Sequence, residues 1–387
     1  MKKIGIITVS RTYNFGAELQ AYALQKKLQL LGYNAEIIDY LYYKHKNYKQ
    51  TSGSKPLVQF SPKEQLKKYL LYRIATPILD DFVSLFSKSI RNRLQNFESF
   101  HLSHVRFSNQ YRSLTELNNA PHPYDVFIVG SDQVWNPATG TSLSPYFLEF
   151  APKDKLRMSY ASSFGVSSID VKYHEAYKRY FSNLESIAVR EEDGVALVKQ
   201  ISDREATRVL DPTLLLTKDE WCNVIDKPQP LPEKYVLIYM LHDTDAIINW
   251  AYHLKQKRGL QIVMICKRAF ANKKYPDIIN IEDAGPSQFI ELFSKASFVA
   301  TNSFHGTAFS VNFNVPFVTV LKKGKANNSR MLNFLTLVGL GNRIVWEDVA
   351  PERIFSEDWI FSDFSNSNNC LSYEKENSIK YLLDKIK

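Results

Sequence analysis

Cysteine is scarce in this chain, with only Cys222, Cys266 and Cys370 among 387 residues. Three scattered cysteines argue against a disulfide framework and show no metal-type spacing, so a reducing, cytoplasmic compartment is expected. Glycine is also sparse at 14 residues. None of it forms a G-x-G-x-x-G, which leaves a dinucleotide site without support. No apolar run approaches the ~20 residues of a bilayer span. The opening Met1-Lys-Lys-Ile-Gly-Ile-Ile-Thr-Val-Ser10 starts like a secretory signal, but its apolar run is too short and no small-residue cleavage site follows. A soluble protein with neither metal nor cofactor is the expectation.

What is present suits a folded chain of two domains. Hydrophobic residues make up 44%, which argues against disorder, and the length exceeds what one ordinary core fills. The 22 Tyr and 24 Phe can serve as core or as platforms for the C–H face of a sugar. The net charge of +9 is concentrated. Between Lys44 and Arg93, eleven Lys and Arg stand against Glu64, Asp80 and Asp81, so this one region carries +8. It reads either as a solvated basic surface or as a patch for an anionic partner, a membrane face or a lipid diphosphate. No recognition motif accompanies the charge, so no nucleic-acid partner is expected.

Apolar runs and helical spacings alternate along the chain. Ile4 to Val9 predicts a strand, Ala17 to Leu31 a helix ended by Gly32, and Ala35 to Ile38 a second strand. Such a βαβ unit implies a parallel sheet. Residues 44–120 break the rhythm as a basic, tyrosine-rich helical insertion, with helices over 63–78 and 81–100. The rhythm resumes with strands near 124–130, 157–162 and 186–189, and helices over 172–184 and 194–202. Pro228, Pro230 and Pro232 mark residues 217–233 as a linker. A second series follows, with strands at 235–240, 261–266, 298–301 and 316–320. The expected fold is α/β, two doubly wound Rossmann-like domains facing a cleft, over 1–216 and 234–387. That is a GT-B-like architecture, with ligands beyond the carboxyl ends of the strands.

The informative loops lie at such ends. Asn14-Phe-Gly-Ala17 offers a helix N-terminus and, at Gly16, close backbone approach to a ligand; it also reads as a tight turn capped by Asn14. In Gly130-Ser-Asp-Gln-Val-Trp-Asn-Pro137, Asp132 suits a general base or a sugar-hydroxyl ligand, with Gln133 beside it and Trp135 as a stacking ring. The alternatives are a turn residue for Asp132 and core for Trp135. Arg190 presents a fork suited to carboxylate or phosphate, or else an ion pair with Glu191 or Asp211. In Thr301-Asn-Ser-Phe-His-Gly-Thr307, His305 is of the residue type suited to acid–base work, or is structural. Asn302, Ser303 and Thr307 around it are candidate anion ligands. Arg330, in Asn327-Asn-Ser-Arg330, is a second cation, or an ordinary arginine at a helix start.

The ordered set resembles the polysaccharide pyruvyl transferase family. It consists of Asn14-Phe-Gly-Ala17 with Leu19-Gln-Ala-Tyr-Ala-Leu24, Gly130 to Pro137, Ala188-Val-Arg-Glu-Glu192, Val209-Leu-Asp-Pro-Thr213 and Asn302-Ser-Phe-His-Gly306. The resemblance implies a GT-B-like fold, phosphoenolpyruvate as donor and co-substrate, and a sugar acceptor converted to a pyruvate ketal in bacterial surface or capsular polysaccharide synthesis. It makes His305 and Asp132 catalytic. It maps the family's strand-end arginine to Arg190; with the loop readings above, Arg190, Arg330, Ser303, Asn302 and Thr307 are the expected donor ligands, and Asn14, Gly16, Gln133 and Trp135 the expected acceptor ligands. One departure stands out. Many members carry an arginine two residues before the histidine, where this chain has Ser303; Arg330 is the expected substitute, with Lys267 and Arg268 in reserve. With a lipid-linked oligosaccharide as acceptor, the protein would touch the inner face of the membrane. The competing readings are a GT-B glycosyltransferase using a nucleotide sugar and a non-catalytic carbohydrate-binding protein.

Overall fold

Lys3–Ile7 (β1) is a β-branched run, buried from its second residue onward. The chain leaves it through residues 8–14 and enters the helix Phe15–Leu30 (α1), whose first turn is capped by Asn14 Oδ1 accepting the Ala17 N–H at 3.2 Å. Asn34–Ile37 (β2) then pairs parallel to β1. This computed structural model describes residues 1–51, 53–58, 64, 87–226, 228–266, 275–325, 328–356, 358 and 363–387. The helix expected over 63–78 lies outside them, apart from Glu64. The helix expected at 81–100 is described from residue 87 and runs as Lys88–His104 (α2).

The chain divides into two units. Unit 1 comprises Met1–Leu85, His101–Leu215 and Lys375–Lys387, and unit 2 comprises Phe86–Phe100 and Leu216–Glu374. In unit 1, Val126–Val129 (β3) and Leu156–Ser159 (β4) extend a parallel sheet of order β2-β1-β3-β4. Ala188–Val189 (β5) pairs with Thr207–Arg208 (β6), and bridges from Met158 to Ser186 and Ser162 to Val189 continue the sheet from β4 to β5. Alternation along the strands separates two cores. Ile4, Ile6, Val126 and Ile128 pack with Leu24 and Leu28 of α1, and with Tyr381 and Leu382 of the last helix. Ile7, Phe127 and Val129 face the other way, toward Trp135, Phe147 and Phe181. The strand order reverses between β1 and β3, where ligands of doubly wound sheets sit.

The second segment of unit 2 opens with the short helix Lys218–Cys222 (α3), started by a capping box between Thr217 and Glu220 and buried at Trp221. The stretch expected as linker therefore contains a packed element. The sheet is built from Tyr235–Tyr239 (β7), Gln261–Ile265 (β8), Ile278–Ile281 (β9), Phe298–Thr301 (β10), Phe317–Leu321 (β11) and Ile344–Trp346 (β12). Its order is β12-β11-β10-β7-β8-β9, all parallel, which is the Rossmann order with its reversal between β7 and β10. Val236, Ile238, Ile262, Met264 and Ala300 share a core with Trp250. Phe289, Phe293, Phe309 and Trp221 form an aromatic cluster of their own, with neighbouring centroids 4.5–6.0 Å apart.

Candidate functional site

Unit 1 carries a buried polar network along the carboxyl ends of its strands. Just past β1, the Thr8 hydroxyl donates to Ser131 O at 2.8 Å and accepts from Gln20 Nε2 at 3.0 Å. Ser131 Oγ donates to Asp211 Oδ2 at 3.1 Å, and the same oxygen receives Arg190 Nη1 at 2.8 Å. Arg190 Nε donates to Glu191 Oε1 at 2.8 Å, which also accepts from Ser163 Oγ at 2.9 Å. Asp211 Oδ1 accepts both the N–H and the hydroxyl of Thr213.

This network decides the role of Arg190, whose side chain is 2% exposed. Burial pulls its pKa down, but Glu191, Asp211 and Asp132 outweigh that and the net shift is upward, so it stays a cation. One positive charge faces two bonded carboxylates. A donor phosphate brought there would meet net negative charge in a low-dielectric setting. Arg190 is thus an ion-pair residue that ties the strand ends together, the alternative that its sequence left open beside a donor role. Trp135 takes the core alternative rather than that of a stacking ring. It is 0% exposed, stacks on Phe147 at 5.0 Å, and donates from Nε1 to Tyr146 O at 2.7 Å. A ring enclosed in this way offers no face to a sugar.

Asp132 is half-buried at the end of the β3 loop. Its φ of 71° lies in the left-handed region, which Asp tolerates better than most residues. The fold fixes that conformation: Asp132 O receives the N–H groups of Val134 and Ser163, and Asp132 Oδ1 receives that of Gln133 at 2.8 Å. Gln133 lies against Gly165, whose φ is +67° and where a Cβ would collide with the Gln133 side chain. Asn14 is exposed at its cap position, and Gly16 is buried in the first turn of α1. Asn14, Asp132 and Gln133 therefore belong to the loops after β1 and β3, the two strands flanking the reversal of this sheet.

In unit 2, the chain leaves β10 into the helix Phe304–Asn312 (α4). Thr301 Oγ1 donates to Tyr239 O at 2.6 Å and accepts the Ser303 N–H at 3.0 Å, stitching β10 to β7 at the reversal. Asn302 accepts the Leu241 N–H and donates to His242 O. Ser303 caps α4 by accepting the Gly306 N–H at 3.3 Å. A Cβ at Gly306 would collide with Thr301 Oγ1 and reach the Tyr239 ring at 3.1 Å, so glycine lets the helix sit on the strand. Thr307, fully buried, donates to Ser303 O and is bonded to Thr319 Oγ1. Asn302, Ser303 and Thr307 hold the loop through these bonds. His305 is half-buried in the first turn of α4. Arg330 is the second residue of Ser329–Leu337 (α5), which meets α4 through Phe304 and Phe334 at 5.9 Å. Lys267 and Arg268 lie outside the described residues.

The Arg190–Asp211 pair is one of the two ion pairs that the sequence leaves open for Arg190, whereas Ser131, 80 positions from Asp211, carries no signal of its own. Among the described residues, no group of three or more His, Cys, Asp or Glu could hold a metal, and no helix is long and apolar enough to cross a membrane.

Comparison with solved structures identifies the fold. The S. aureus MnaA–UDP co-structure matches at 13% identity and a TM-score of 0.52, over 100% of this chain and 98% of that one. A putative UDP-N-acetylglucosamine 2-epimerase from Listeria monocytogenes matches at 9% identity and 0.50, over 100% and 96%. UDP-N-acetylglucosamine 2-epimerase from Rickettsia bellii matches at 10% and 0.50, over 99% and 96%. At such identities the likeness carries the fold alone, two Rossmann-like units of the GT-B class. No curated protein matches. The profile described as polysaccharide pyruvyl transferase matches residues 14–321, a span that takes in every loop built up above except Arg330's, and the chain belongs to that family.

Proposed function

We propose that this enzyme transfers the enolpyruvyl group of phosphoenolpyruvate to two hydroxyls of one sugar, forming a pyruvate ketal. His305 gives a proton to C3 of the donor, and C2 becomes oxocarbenium-like. A sugar hydroxyl attacks C2 and loses its proton to Asp132. The C2–O bond to phosphate then breaks, phosphate leaves, and a neighbouring hydroxyl closes the ketal, giving its proton to the now neutral His305. Arg330 neutralises donor charge, while Asn14 and Gln133 receive the acceptor. The acceptor is a lipid-linked oligosaccharide, met at an anionic membrane surface by the basic segment 44–93.

The observation that carries the reading is His305 in the first turn of α4, beside the reversal of a Rossmann-ordered sheet in a chain of this family. Its test is phosphate release from phosphoenolpyruvate in the presence of synthetic and lipid-linked glycosides, with mass spectrometry of the sugar product. Acceptor-dependent phosphate release and a ketal-bearing glycoside are expected. Turnover of a nucleotide sugar, with none of phosphoenolpyruvate, would overturn the proposal in favour of glycosyl transfer.

A further inference from the structure

At the carboxyl end of β1, Ser10 Oγ, Thr12 Oγ1 and Gln20 Oε1 are enclosed and find no hydrogen-bond partner among the described residues. Ser10 is 1% exposed and Gln20 0%, and polar groups buried so deeply are nearly always satisfied. Bonds already made around these atoms fix their place. Gln20 Nε2 donates to Thr8 Oγ1 at 3.0 Å and to Ala17 O at 2.9 Å, so its amide sits between the end of β1 and the first turn of α1 with the oxygen left over. The Thr12 N–H donates to Glu18 Oε1 at 2.8 Å, which lays Thr12 along the same turn. The left-handed residues of this loop are Arg11 and Tyr13, interleaved with Ser10 and Thr12. Strained backbone and unmade hydrogen bonds thus share one short loop, a combination that clusters at binding sites. Thr8 ties that loop to Asp132's, since its hydroxyl donates to Ser131 O at 2.8 Å.

We propose that Ser10, Thr12 and Gln20 form a hydroxyl-recognition subsite for the acceptor, resting on the reading of a glycoside as acceptor. Chemistry selects the ligand class. An amide oxygen only accepts, so an ionised carboxylate or phosphate gives Gln20 Oε1 nothing, whereas an O–H satisfies it. The Ser10 and Thr12 hydroxyls each donate and accept, as sugar hydroxyls do. The charges nearest in sequence are already matched, Arg11 Nε to both Asp39 oxygens at 2.9 and 3.0 Å and Glu18 to His101 at 2.8 Å. A neutral polyol therefore fits better than an anion. The ribose of a nucleotide has the same chemistry, and the test below separates the two sources. Because the three atoms are enclosed, the sugar reaches them as residues 9–14 shift, and the hydrogen bonds it supplies offset that shift.

The test compares full-length Ser10→Ala and Thr12→Val with wild type, each variant losing one hydroxyl and little shape. Thermal melts are combined with saturation-transfer NMR titrations of UDP and of the methyl glycosides of glucose, galactose, mannose and N-acetylglucosamine. At least one glycoside should bind the wild type, and each variant should weaken it about fivefold or more. Both variants should melt at or above wild type, because deleting an unpaired buried hydroxyl removes no hydrogen bond. Glycoside affinity unchanged in either variant, or a wild type that binds none of the four, would overturn the inference. Weakened UDP binding with glycosides untouched would overturn the acceptor assignment in favour of a nucleotide sugar. Glycoside binding that depends on both hydroxyls would uphold the subsite even if phosphoenolpyruvate released no phosphate, and that failure would remove the donor reading alone.

Discussion

His305 and Arg190 both follow strand ends, and burial separates them. His305 is half-buried in a first helical turn, its ring edge-on to Phe304 at 5.3 Å. His305→Ala should therefore melt close to wild type while losing about 10²–10⁴-fold in turnover, the usual range for an acid–base group. A variant keeping more than about a tenth of the activity would take the proton donor role away from it. Arg190 is enclosed, and what it holds is the fold. Asp211→Asn tests this because the shape stays while the charge goes. The amide would turn a donor toward Arg190 Nη1 and Ser131 Oγ, leaving a buried cation with one carboxylate instead of two. Breaking such a pair costs about 3 kcal/mol or more, so a clear drop in chemical-denaturation stability is expected. A loss under about 0.5 kcal/mol would show that the network is not what fixes the strand ends. The sequence displayed Arg190 with both acids in view, but burial decides between ligand and ion pair, and burial depends on the packing of distant strands.

At the scale of elements, the loop between β1 and α1 depends on a partner that pattern reading does not reach. Glu18 looks like an ordinary acid in a first helical turn, favourable to the helix dipole. In the fold it is buried, with Oε1 accepting the Thr12 N–H at 2.8 Å and Oε2 bonded to His101 Nε2 at 2.8 Å from α2. It thereby pins a loop in which Arg11 and Tyr13 hold left-handed conformations, each costing about 1–3 kcal/mol. Glu18→Ala should lower unfolding free energy by about 1–3 kcal/mol and raise the acceptor KM. Glu18→Gln, which keeps an oxygen for Thr12, should lose less. Equal melts for the two variants would deny the carboxamide oxygen its anchoring role. The strands were legible where apolar runs end in turn residues, as at 126–129 and 298–301. Ile278–Ile281 and Ile344–Trp346 escaped notice because they are short edge strands, partly exposed, that exist by pairing with β8 and β11.

For the whole molecule, two alternating series in the sequence revealed two parallel sheets, but not their strand orders or the path of the last residues. Lys375–Lys387 returns to unit 1, where Ser378 Oγ accepts the Leu210 N–H at 2.9 Å and the Tyr381 hydroxyl donates to Ser159 O at 3.1 Å. Contacts spanning 168 and 222 positions leave no periodic trace. Charge is different, because its distribution is visible in the sequence directly. Of the basic segment, Arg93 is turned onto the second sheet, whereas Lys63, Lys67 and Lys68 lie outside the described residues and enter the argument through their charge alone. Each lysine near an anionic surface contributes about 1 kcal/mol, so removing three costs roughly 3 kcal/mol, or about a hundredfold in partitioning. The triple change Lys63→Glu, Lys67→Glu and Lys68→Glu should therefore cut binding to vesicles rich in anionic lipid by at least that factor. It should slow turnover of a lipid-anchored acceptor and spare that of a short soluble glycoside. Raising salt should erase the difference, since at 0.1 M screening already acts within about 10 Å. Equal vesicle binding and equal turnover of the anchored acceptor at low salt would return this segment to a solvated surface.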